Sequence, residues 1–324
     1  MKPTSTEWTH VPAPAAPIDP SYKPKKNIVT VPATASVDYI LGVIARDGGV
    51  IISDLVSEDK MATIEEELKS WKENQPVQAA NDTRSGDAFH IIPSQTTLIP
   101  GLVGKSDAVS EICEHPLLDS LRENILLEKY TVYREDWVEP IRIDPLLSLS
   151  LSMNIGYGAP RQRLHRDDNI HRIRHSGHED WSFESVSQFG CLIAGCDVTR
   201  ENGATMFVPG SHKWNDHRMA TVDEVCFAEM QAGSALIFLG SAFHGGGHNS
   251  VPGSVRTMYS LFFVRGIYRT EENQFLTVPR NKLLKMSPKM LQLLGYTKPS
   301  MAMGLVDNRS PDEDVDGILQ RLML

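Results

Sequence analysis

Residues 147–155 have the sequence Leu-Ser-Leu-Ser-Leu-Ser-Met-Asn-Ile, in which apolar and polar side chains alternate strictly. Because neighbouring side chains of a strand point to opposite faces, this alternation predicts a half-buried β-strand. Further short apolar segments, separated by Gly, Asn, Asp and Pro, lie at 187–197, 204–208, 235–238 and 257–263. Short strands with turn residues between them predict an antiparallel sandwich or barrel and argue against a sheet built from β-α-β units.

Helical patterns precede this β-rich region. Ser57 and the acidic residues after it predict the start of a helix that runs to about Asn74. Segment 105–128 has a second helical pattern. The apolar face of the first helix is formed by Met61, Ile64, Leu68 and Trp71.

The 324 residues divide into an arm and one domain. Residues 1–30 are rich in proline, which predicts an extended N-terminal arm. Residues 31–324 are expected to form a single domain, with a β core at about 130–270 and a helical C-terminal segment at about 280–324. The stretch 75–105 is interpreted as irregular, and long irregular stretches in compact domains are often functional.

The composition of the chain argues against some classes of partner and indicates a cellular compartment. The formal net charge is −9, from 32 Lys and Arg against 41 Asp and Glu. This balance lacks the basic surface of a nucleic-acid-binding protein, and no apolar run is long enough to span a membrane, so neither partner is expected. Reduced cysteines and an N-terminus without an apolar or Arg-rich targeting pattern predict a cytoplasmic protein. Neither a CxxC pair nor a small-domain framework is formed by Cys113, Cys191, Cys196 and Cys226.

His165 and Asp167 stand two residues apart in the stretch 162–168, Gln-Arg-Leu-His-Arg-Asp-Asp. On an extended strand both side chains would point to the same side, which places an imidazole beside a carboxylate. His244, which follows an apolar strand and precedes three glycines, is the candidate for a third ligand. Two histidines and one carboxylate on one face of a metal leave positions open, an arrangement that suits non-haem Fe(II) oxygenases.

Two further residues bear on this site. Asp168 adjoins Asp167, but on a strand it faces the opposite side, which favours Asp167 as the ligand. Arg256 begins another apolar strand, and a guanidinium there can hold a carboxylate through two hydrogen bonds. An ordinary salt bridge is the alternative for this arginine.

The motifs occur in a recognisable order. They are Gln162-x-x-His165-x-Asp167, Asn202-Gly203-Ala204-Thr205, Pro209-Gly210-Ser211-His212-x-Trp214, His244-Gly245-Gly246 and Arg256. Over about residues 35–310 this order resembles the phytanoyl-CoA dioxygenase family of Fe(II)- and 2-oxoglutarate-dependent oxygenases. It is most similar to the fungal branch that acts on secondary metabolites. The family fold is a double-stranded β-helix, a cupin-like jelly roll with helices outside, which agrees with the mainly β pattern and its flanking helices.

The resemblance implies roles for the matching positions. His165, Asp167 and His244 would be the ligands of Fe(II), and 2-oxoglutarate and O₂ would be the cosubstrates. Arg256 would pair with the distal carboxylate of 2-oxoglutarate. His248 has the wrong spacing to Arg256 for this family, which favours His244.

The resemblance also extends to the pocket around the metal. Thr205 would donate its hydroxyl to the same carboxylate of 2-oxoglutarate, and Gln162 would contact 2-oxoglutarate near the metal. In the relatives the segment before the barrel borders the substrate pocket. Candidate substrate residues there are Phe89, His90, Gln95 and Thr97.

The implied reaction is oxidation of an unactivated C–H bond of a small-molecule natural product, such as an alkaloid or a meroterpenoid, by hydroxylation, desaturation or ring rearrangement. Ascorbate is expected to help in vitro, and a homodimer is expected. In an endoperoxide-forming relative a tyrosine donates hydrogen. Here its place falls near Leu261, and Tyr259 lies on the strand face opposite Arg256, which favours simple oxidation.

Three alternatives stand beside this interpretation. An acyl-CoA-type hydroxylase would want several basic residues. A non-catalytic partner subunit of the same fold would be expected to lose a ligand. A non-oxidative cupin-like isomerase or zinc hydrolase would have no use for Arg256. The basic residues that would suit the first alternative are Arg163, Arg166, Arg172 and Arg174.

Overall fold

A large and a small β-sheet form the centre of the structure. The computed structural model describes residues 13–77, 92–177, 181–297, 299, 303–313 and 317. Within these residues the strands are β1 (Thr30–Pro32), β2 (Gly49–Ser53), β3 (Thr96–Pro100), β4 (Glu128–Tyr133), β5 (Val138–Ile143), β6 (Leu146–Gly156), β7 (Gln188–Ala194), β8 (Met206–Phe207), β9 (Cys226–Phe227), β10 (Ala235–Leu239), β11 (His244–Gly245) and β12 (Val255–Val264). The helices are α1 (Val37–Asp47), α2 (Glu58–Asn74), α3 (Asp107–Cys113), α4 (Pro116–Ile125), α5 (Gln274–Thr277), α6 (Arg280–Leu283) and α7 (Pro288–Leu293).

The larger sheet has the strand order β1-β2-β10-β7-β12-β6-β3 and is antiparallel except for the pair β1 and β2. The smaller sheet has the order β11-β8-β9, and β4 and β5 form a separate ribbon. Side chains from both sheets line one cavity, so the sheets face each other across it. This is the jelly roll with flanking helices that the family resemblance implies, and it agrees with the antiparallel sandwich or barrel that the strand pattern predicts.

Serine caps begin the first two helices. The Ser36 hydroxyl accepts a hydrogen bond from the Tyr39 N–H at the start of α1, and Ser57 accepts one from the Lys60 N–H at the start of α2. These caps satisfy N–H groups that have no partner within the helix. Helix α1 ends at Gly48, whose φ of 83° lies in the left-handed region that favours glycine. Local sequence therefore defines both ends of α1 and the start of α2.

Helix α2 packs on the core through most of its predicted apolar face. Met61, Ile64 and Leu68 are buried, as expected. Trp71 is instead 41% exposed, and the Lys105 ammonium lies 4.8 Å from its ring centroid. The last turn of α2 is therefore a partly solvated surface rather than core.

Two segments that flank the β core bear on the predicted pattern. Helix α7 ends at Leu293, and the described residues beyond it include a 3-10 turn at Pro311–Glu313 and the helical Gly317, so the helical segment at about 280–324 stays a prediction. Strand β3 occupies part of the stretch 75–105, which the sequence indicated to be irregular. Strand β3 joins the sheet edge through backbone pairing with β6, and such pairing requires no alternating side-chain pattern.

Strand β6 is buried on both faces rather than on one. Ser150 and Ser152 are fully buried on the face away from the cavity. The Ser150 hydroxyl donates to a carboxylate oxygen of Glu272 over 3.2 Å, so this polar layer is hydrogen-bonded. The opposite face of the strand lines the cavity with Leu149, Leu151, Met153 and Ile155. The alternation thus separates a polar layer from an apolar cavity wall.

The described part of the N-terminal arm is attached to the domain by hydrogen bonds. Ala15 forms an antiparallel bridge with Arg161. The Arg200 guanidinium donates to the backbone carbonyls of Tyr22 over 2.6 Å and Asp19 over 2.8 Å. Charge-assisted bonds to carbonyls hold the arm without any regular secondary structure.

The main apolar core lies between the larger sheet and helices α1 to α4. Ile52 on β2, Ile64 on α2 and Leu118 on α4 are all buried in it. Removal of these side chains from water is the main stabilising contribution to the fold. In the part of the chain that the structure describes, no helix combines the length and apolar character needed to cross a membrane.

Candidate metal centre

Two histidines and one aspartate meet in the wall of the cavity. His165, Asp167 and His244 place potential ligand atoms within 4.8 Å of one another. The Nε2 of His165 lies 3.4 Å from Asp167 Oδ1, and the Nε2 of His244 lies 3.4 Å from Asp167 Oδ2. A single cation can therefore contact both imidazoles and the carboxylate.

Backbone pairing brings these residues together. His165 and His244 are opposite each other in an antiparallel bridge, with N–H to carbonyl distances of 2.9 and 3.0 Å. Asp167 begins a 3-10 helix at Asp167–His171, and its N–H donates to the Gly240 carbonyl over 2.9 Å. The prediction that His165 and Asp167 share an extended strand is therefore wrong, although the turn still brings the two side chains to the same side.

Each imidazole is oriented by a backbone carbonyl. His165 Nδ1 lies 2.8 Å from the Arg163 carbonyl, and His244 Nδ1 lies 3.1 Å from the Ala242 carbonyl. A carbonyl only accepts hydrogen bonds, so in both rings Nδ1 carries a proton, and Nε2, which faces Asp167, is the atom available to a metal ion. Metal-binding histidines are usually held in this way.

The electrostatics also fit a cation. Burial by itself raises the pKa of Asp167, but the attraction of His244 and His165 outweighs it and holds the pKa below the ordinary value. Burial lowers the pKa of His244, which favours the neutral ligand form. Asp167 Oδ2 is buried and accepts no hydrogen bond from the described residues. A buried carboxylate oxygen without a donor is costly, and a metal ion would satisfy it.

The neighbouring candidates lie elsewhere. Asp168 Oδ2 faces His175 Nε2 at 3.3 Å, on a different side of the chain from His165. His248 Nδ1 lies 2.8 Å from the Ala159 carbonyl, and His248 is not part of the cluster of potential ligands. The geometry therefore favours Asp167 over Asp168, and it gives His248 a hydrogen-bonding position in a loop.

Arg256 lines the same cavity, which has a volume of about 490 Å³. Its side chain is 2% exposed, and its Nε and Nη1 atoms have no acceptor among the described residues. Burial lowers the pKa of Arg256 to about 10, against a smaller opposing effect of Cys196, so the guanidinium is still cationic at neutral pH. A buried cation without a carboxylate partner favours an anionic ligand.

Gln162 and Thr205, the other two predicted 2-oxoglutarate contacts, both line the cavity. Thr205 is buried and lines the cavity. The side-chain carbonyl of Gln162 accepts a hydrogen bond from the Gly246 N–H, which fixes its orientation. A Cβ at Gly246 would lie 3.0 Å from Gln162 Oε1 and 3.4 Å from Arg256 Nη2, so glycine permits this close approach.

Two of the four predicted substrate residues, Gln95 and Thr97, lie in the described part of the structure. Phe89 and His90 lie outside the described residues. Gln95 is exposed and has a positive φ of 62°, while Thr97 pairs with Asn154 across β3 and β6. The described residues that line the cavity include Ile92 but not Gln95 or Thr97. The role of these four positions stays a prediction.

Several cavity residues were missed by the sequence reasoning. Every second residue of β12 from Arg256 to Phe262 faces the cavity, and the strand period alone could have identified them. Tyr259 lies on the opposite face, as predicted, where its hydroxyl donates to the Glu65 carboxylate. Glu271 also lines the cavity, but it comes from the segment after β12, for which no periodic signal exists. The missed β12 residues are Met258, Ser260 and Phe262.

Comparisons with known proteins agree with this geometry. Residues 44–258 match the profile of the phytanoyl-CoA dioxygenase (PhyH) family. Dioxygenase swnH1 of Arthroderma benhamiae is 50% identical over 303 residues, which cover 94% of this chain and 96% of the relative. Dioxygenase peniF of Penicillium patulum is 31% identical over 287 residues, which cover 86% and 89%.

Two solved structures share the fold. The non-heme alpha ketoglutarate dependent epimerase SnoN from nogalamycin biosynthesis has a TM-score of 0.53 at 16% identity and covers 74% of this chain and 86% of its own. HygX from Streptomyces hygroscopicus, with nickel and 2-oxoglutarate bound, has a TM-score of 0.51 at 14% identity and covers 73% and 90%. At these identities the likeness concerns the fold.

The jelly roll and the centre of two histidines and one carboxylate define an oxygenase of the dioxygenase class. The matched profile covers more than half of the chain, and the match to swnH1 extends over nearly its whole length. The chain belongs to the phytanoyl-CoA dioxygenase family.

Proposed function

We propose that this protein is an Fe(II)- and 2-oxoglutarate-dependent dioxygenase that oxidises an unactivated C–H bond of a small-molecule natural product. The observation that carries the proposal is the buried Arg256 guanidinium, which opens on the same cavity as the three potential metal ligands and lacks an acceptor at Nε and Nη1 among the described residues. A dicarboxylate bound to the metal would supply the missing anion.

The donor set suits Fe(II). The Nε2 atoms of His165 and His244 and a carboxylate oxygen of Asp167 would hold one face of the ion and leave the remaining positions open. When bound, Fe(II) with 2-oxoglutarate and O₂ supplies the oxidation of the substrate C–H bond, with succinate and CO₂ as co-products.

Other residues that line the cavity would bind and orient 2-oxoglutarate and the substrate. Arg256 would hold the distal carboxylate of 2-oxoglutarate, and the Thr205 hydroxyl would donate to the same group. Gln162, held by the Gly246 N–H, would contact 2-oxoglutarate near the metal. The apolar wall from β6 and β12 would exclude water and fix the position of the substrate relative to the metal.

Solved relatives support a natural-product substrate. SnoN has a structure in complex with Fe3+, alpha ketoglutarate and nogalamycin RO, and HygX has one with nickel, 2-oxoglutarate and hygromycin B bound. In the present chain no tyrosine is among the described residues that line the cavity, which favours simple oxidation over endoperoxide formation. Hydroxylation, desaturation and oxidative ring rearrangement are all compatible with this cavity.

An acyl-CoA-type hydroxylase is less well supported. The two basic residues near the metal that could receive a CoA phosphate are already engaged. Arg163 donates to the Ala13 carbonyl over 2.8 Å, and Arg166 donates to the carbonyls of Ser211 and Trp214 over 3.0 and 2.8 Å. A non-catalytic subunit is also less well supported, because all three potential ligands are present.

We also propose that the protein is cytoplasmic and forms a homodimer. All four cysteines are unpaired, which suits a reducing compartment such as the cytoplasm. The ribbon of β4 and β5 exposes Tyr133, Trp137 and Val138 by 79%, 58% and 59%, an apolar surface that a second copy could cover. Light scattering should then give twice the chain mass of 36.0 kDa, and Trp137→Glu should halve it.

The central experiment is an anaerobic reconstitution with Fe(II), ascorbate and 2-oxoglutarate, followed by O₂ and a screen of candidate metabolites. Succinate formation and the mass change of the metabolite are measured together. The proposal expects succinate that depends on one metabolite and is lost in His165→Ala and Asp167→Ala. Undiminished turnover in either variant would contradict the assignment of His165 and Asp167 as metal ligands.

A further inference from the structure

Glu271 is a cavity carboxylate that the metal centre does not use. Its N–H donates to the Ser148 hydroxyl over 3.1 Å, and the Ser148 hydroxyl lies 3.2 Å from Glu271 Oε1. The register of β6 and β12 shifts between Phe262 and Phe263, which leaves Ser148 without a paired residue on β12. Bulges of this kind often re-aim groups beside functional sites, and here the bulge presents Glu271 to the cavity.

The neighbouring Glu272 differs from Glu271, because both of its carboxylate oxygens accept hydrogen bonds from the protein. Glu272 Oε2 accepts from the Ser150 N–H over 2.8 Å and from the Ser150 hydroxyl, and Oε1 accepts from the Gly101 N–H. Among the described residues the Glu271 carboxylate has one hydroxyl partner, Ser148, and Glu271 is an exposed residue that lines the cavity. No described Lys, Arg or His pairs with Glu271; the nearby charges that act on it are the acidic Asp167 and Glu272.

The remaining charges in the cavity already have partners if the proposed function holds. Asp167 would bind the metal, and Arg256 would bind the cosubstrate carboxylate. Arg163 and Arg166 donate to backbone carbonyls. Glu271 is left as a carboxyl group without a cationic partner among the described residues, in a wall that is otherwise largely apolar.

We propose that Glu271 binds a protonated amine of the substrate, so that the enzyme takes an apolar small molecule that carries one ammonium group. The inference rests on the proposed function, since it assigns the remaining charge of that same site. A carboxylate in an apolar cavity is stabilised by a cation that donates hydrogen bonds to it. Burial, aided by Asp167, raises the pKa of Glu271 to about 7, the direction expected for a carboxylate that lacks a cation.

A matched pair of probes tests the inference before the substrate is known. Cyclohexylamine and cyclohexanol have nearly the same shape, but only the amine is protonated at neutral pH. Both are titrated into protein loaded with Mn²⁺ and 2-oxoglutarate, and the paramagnetic relaxation of their protons reports binding near the metal. The wild type is expected to bind the amine about tenfold more tightly, because one charge-assisted hydrogen bond separates the two probes.

Substitution then identifies the residue. Glu271→Gln keeps the shape, and it should bind both probes equally. Glu184→Gln removes the same charge from the exposed 3-10 turn at Phe183–Ser185 and should keep the tenfold preference. If Glu271→Gln does not fold, Ser148→Ala removes the hydroxyl that positions the carboxylate, and the preference should fall about threefold.

The possible outcomes distinguish a failure of the proposed function from a failure of the role proposed for Glu271. Calorimetry first measures whether the Mn²⁺-loaded wild type binds 2-oxoglutarate, and failure there contradicts the proposed function itself. Binding of 2-oxoglutarate without any preference for the amine contradicts only the role of Glu271. A preference that survives in Glu271→Gln, or that is unchanged in folded Ser148→Ala, overturns that role as well.

Discussion

Replacement of Arg256 by methionine removes the guanidinium whose Nε and Nη1 atoms lack an acceptor in the described part of the chain. Methionine keeps an unbranched apolar stem, so the packing of the strand changes little. Two quantities should respond in different directions: the affinity for 2-oxoglutarate and the free energy of unfolding of the ligand-free protein.

The magnitudes follow from the contacts. A hydrogen bond to a charged group contributes about 1.5–3 kcal/mol. Loss of a two-bond contact between Arg256 and a carboxylate should therefore weaken 2-oxoglutarate binding by about 3 kcal/mol, or roughly 150-fold. The same substitution removes a buried charge that has no carboxylate partner in the described part of the chain, so the free energy of unfolding should stay constant or rise.

Arg265 provides the matched control, one residue beyond the end of β12. Its guanidinium donates to the carbonyls of Phe183 and Ile125 over 2.7 and 3.1 Å, and to that of Val186. Arg265→Met should therefore lower the free energy of unfolding by about 3 kcal/mol, because buried carbonyls lose their donors. Its affinity for 2-oxoglutarate should match the wild type.

The assays are calorimetric titration of 2-oxoglutarate into anaerobic Mn²⁺-loaded protein and denaturant unfolding of the metal-free protein. The reasoning is refuted if Arg256→Met binds 2-oxoglutarate within about threefold of the wild type. It is equally refuted if Arg256→Met loses as much stability as Arg265→Met, because Arg256 would then be a structural residue.

Three further substitutions and one chemical modification test other parts of the structure. Asp167→Ala should weaken metal binding by roughly 100-fold or more, whereas Asp168→Asn should retain it, as measured by competition with a chromophoric chelator; equal losses would contradict the geometry of the centre. Gly42→Ala should raise the free energy of unfolding by about 1 kcal/mol without changing turnover, because Gly42 lies within α1 and a Cβ there meets nothing within 4 Å; a decrease in denaturation midpoint would refute this. At pH 8, iodoacetamide should alkylate the partly exposed Cys196 first, as peptide mass mapping would show, and early labelling elsewhere would contradict the burial. Burial raises the pKa of the Cys113 and Cys226 thiols to about 12 and also raises the pKa of the Cys191 thiol. These three thiols therefore stay protonated.

Local sequence determined the features that depend on near neighbours. The Ser57 cap and apolar spacing predicted α2, and strand alternation placed Tyr259 on the face of β12 opposite Arg256. The order of the motifs singled out His165 and His244, which the structure brings into one cluster. These features can be read from the chain because helix and strand periods are set by backbone geometry.

Only the tertiary structure decided the features that depend on sheet register and turns. Asp167 reaches the histidines because a 3-10 helix begins there, not because of a strand period. The lack of an acceptor for Nε and Nη1 of Arg256 among the described residues emerges only when its surroundings are known. Glu271 enters the cavity through Ser148, 123 residues earlier in the chain, at a bulge in the pairing of β6 and β12. Contacts at such separation follow from how strands pair and loops return, which no local pattern encodes.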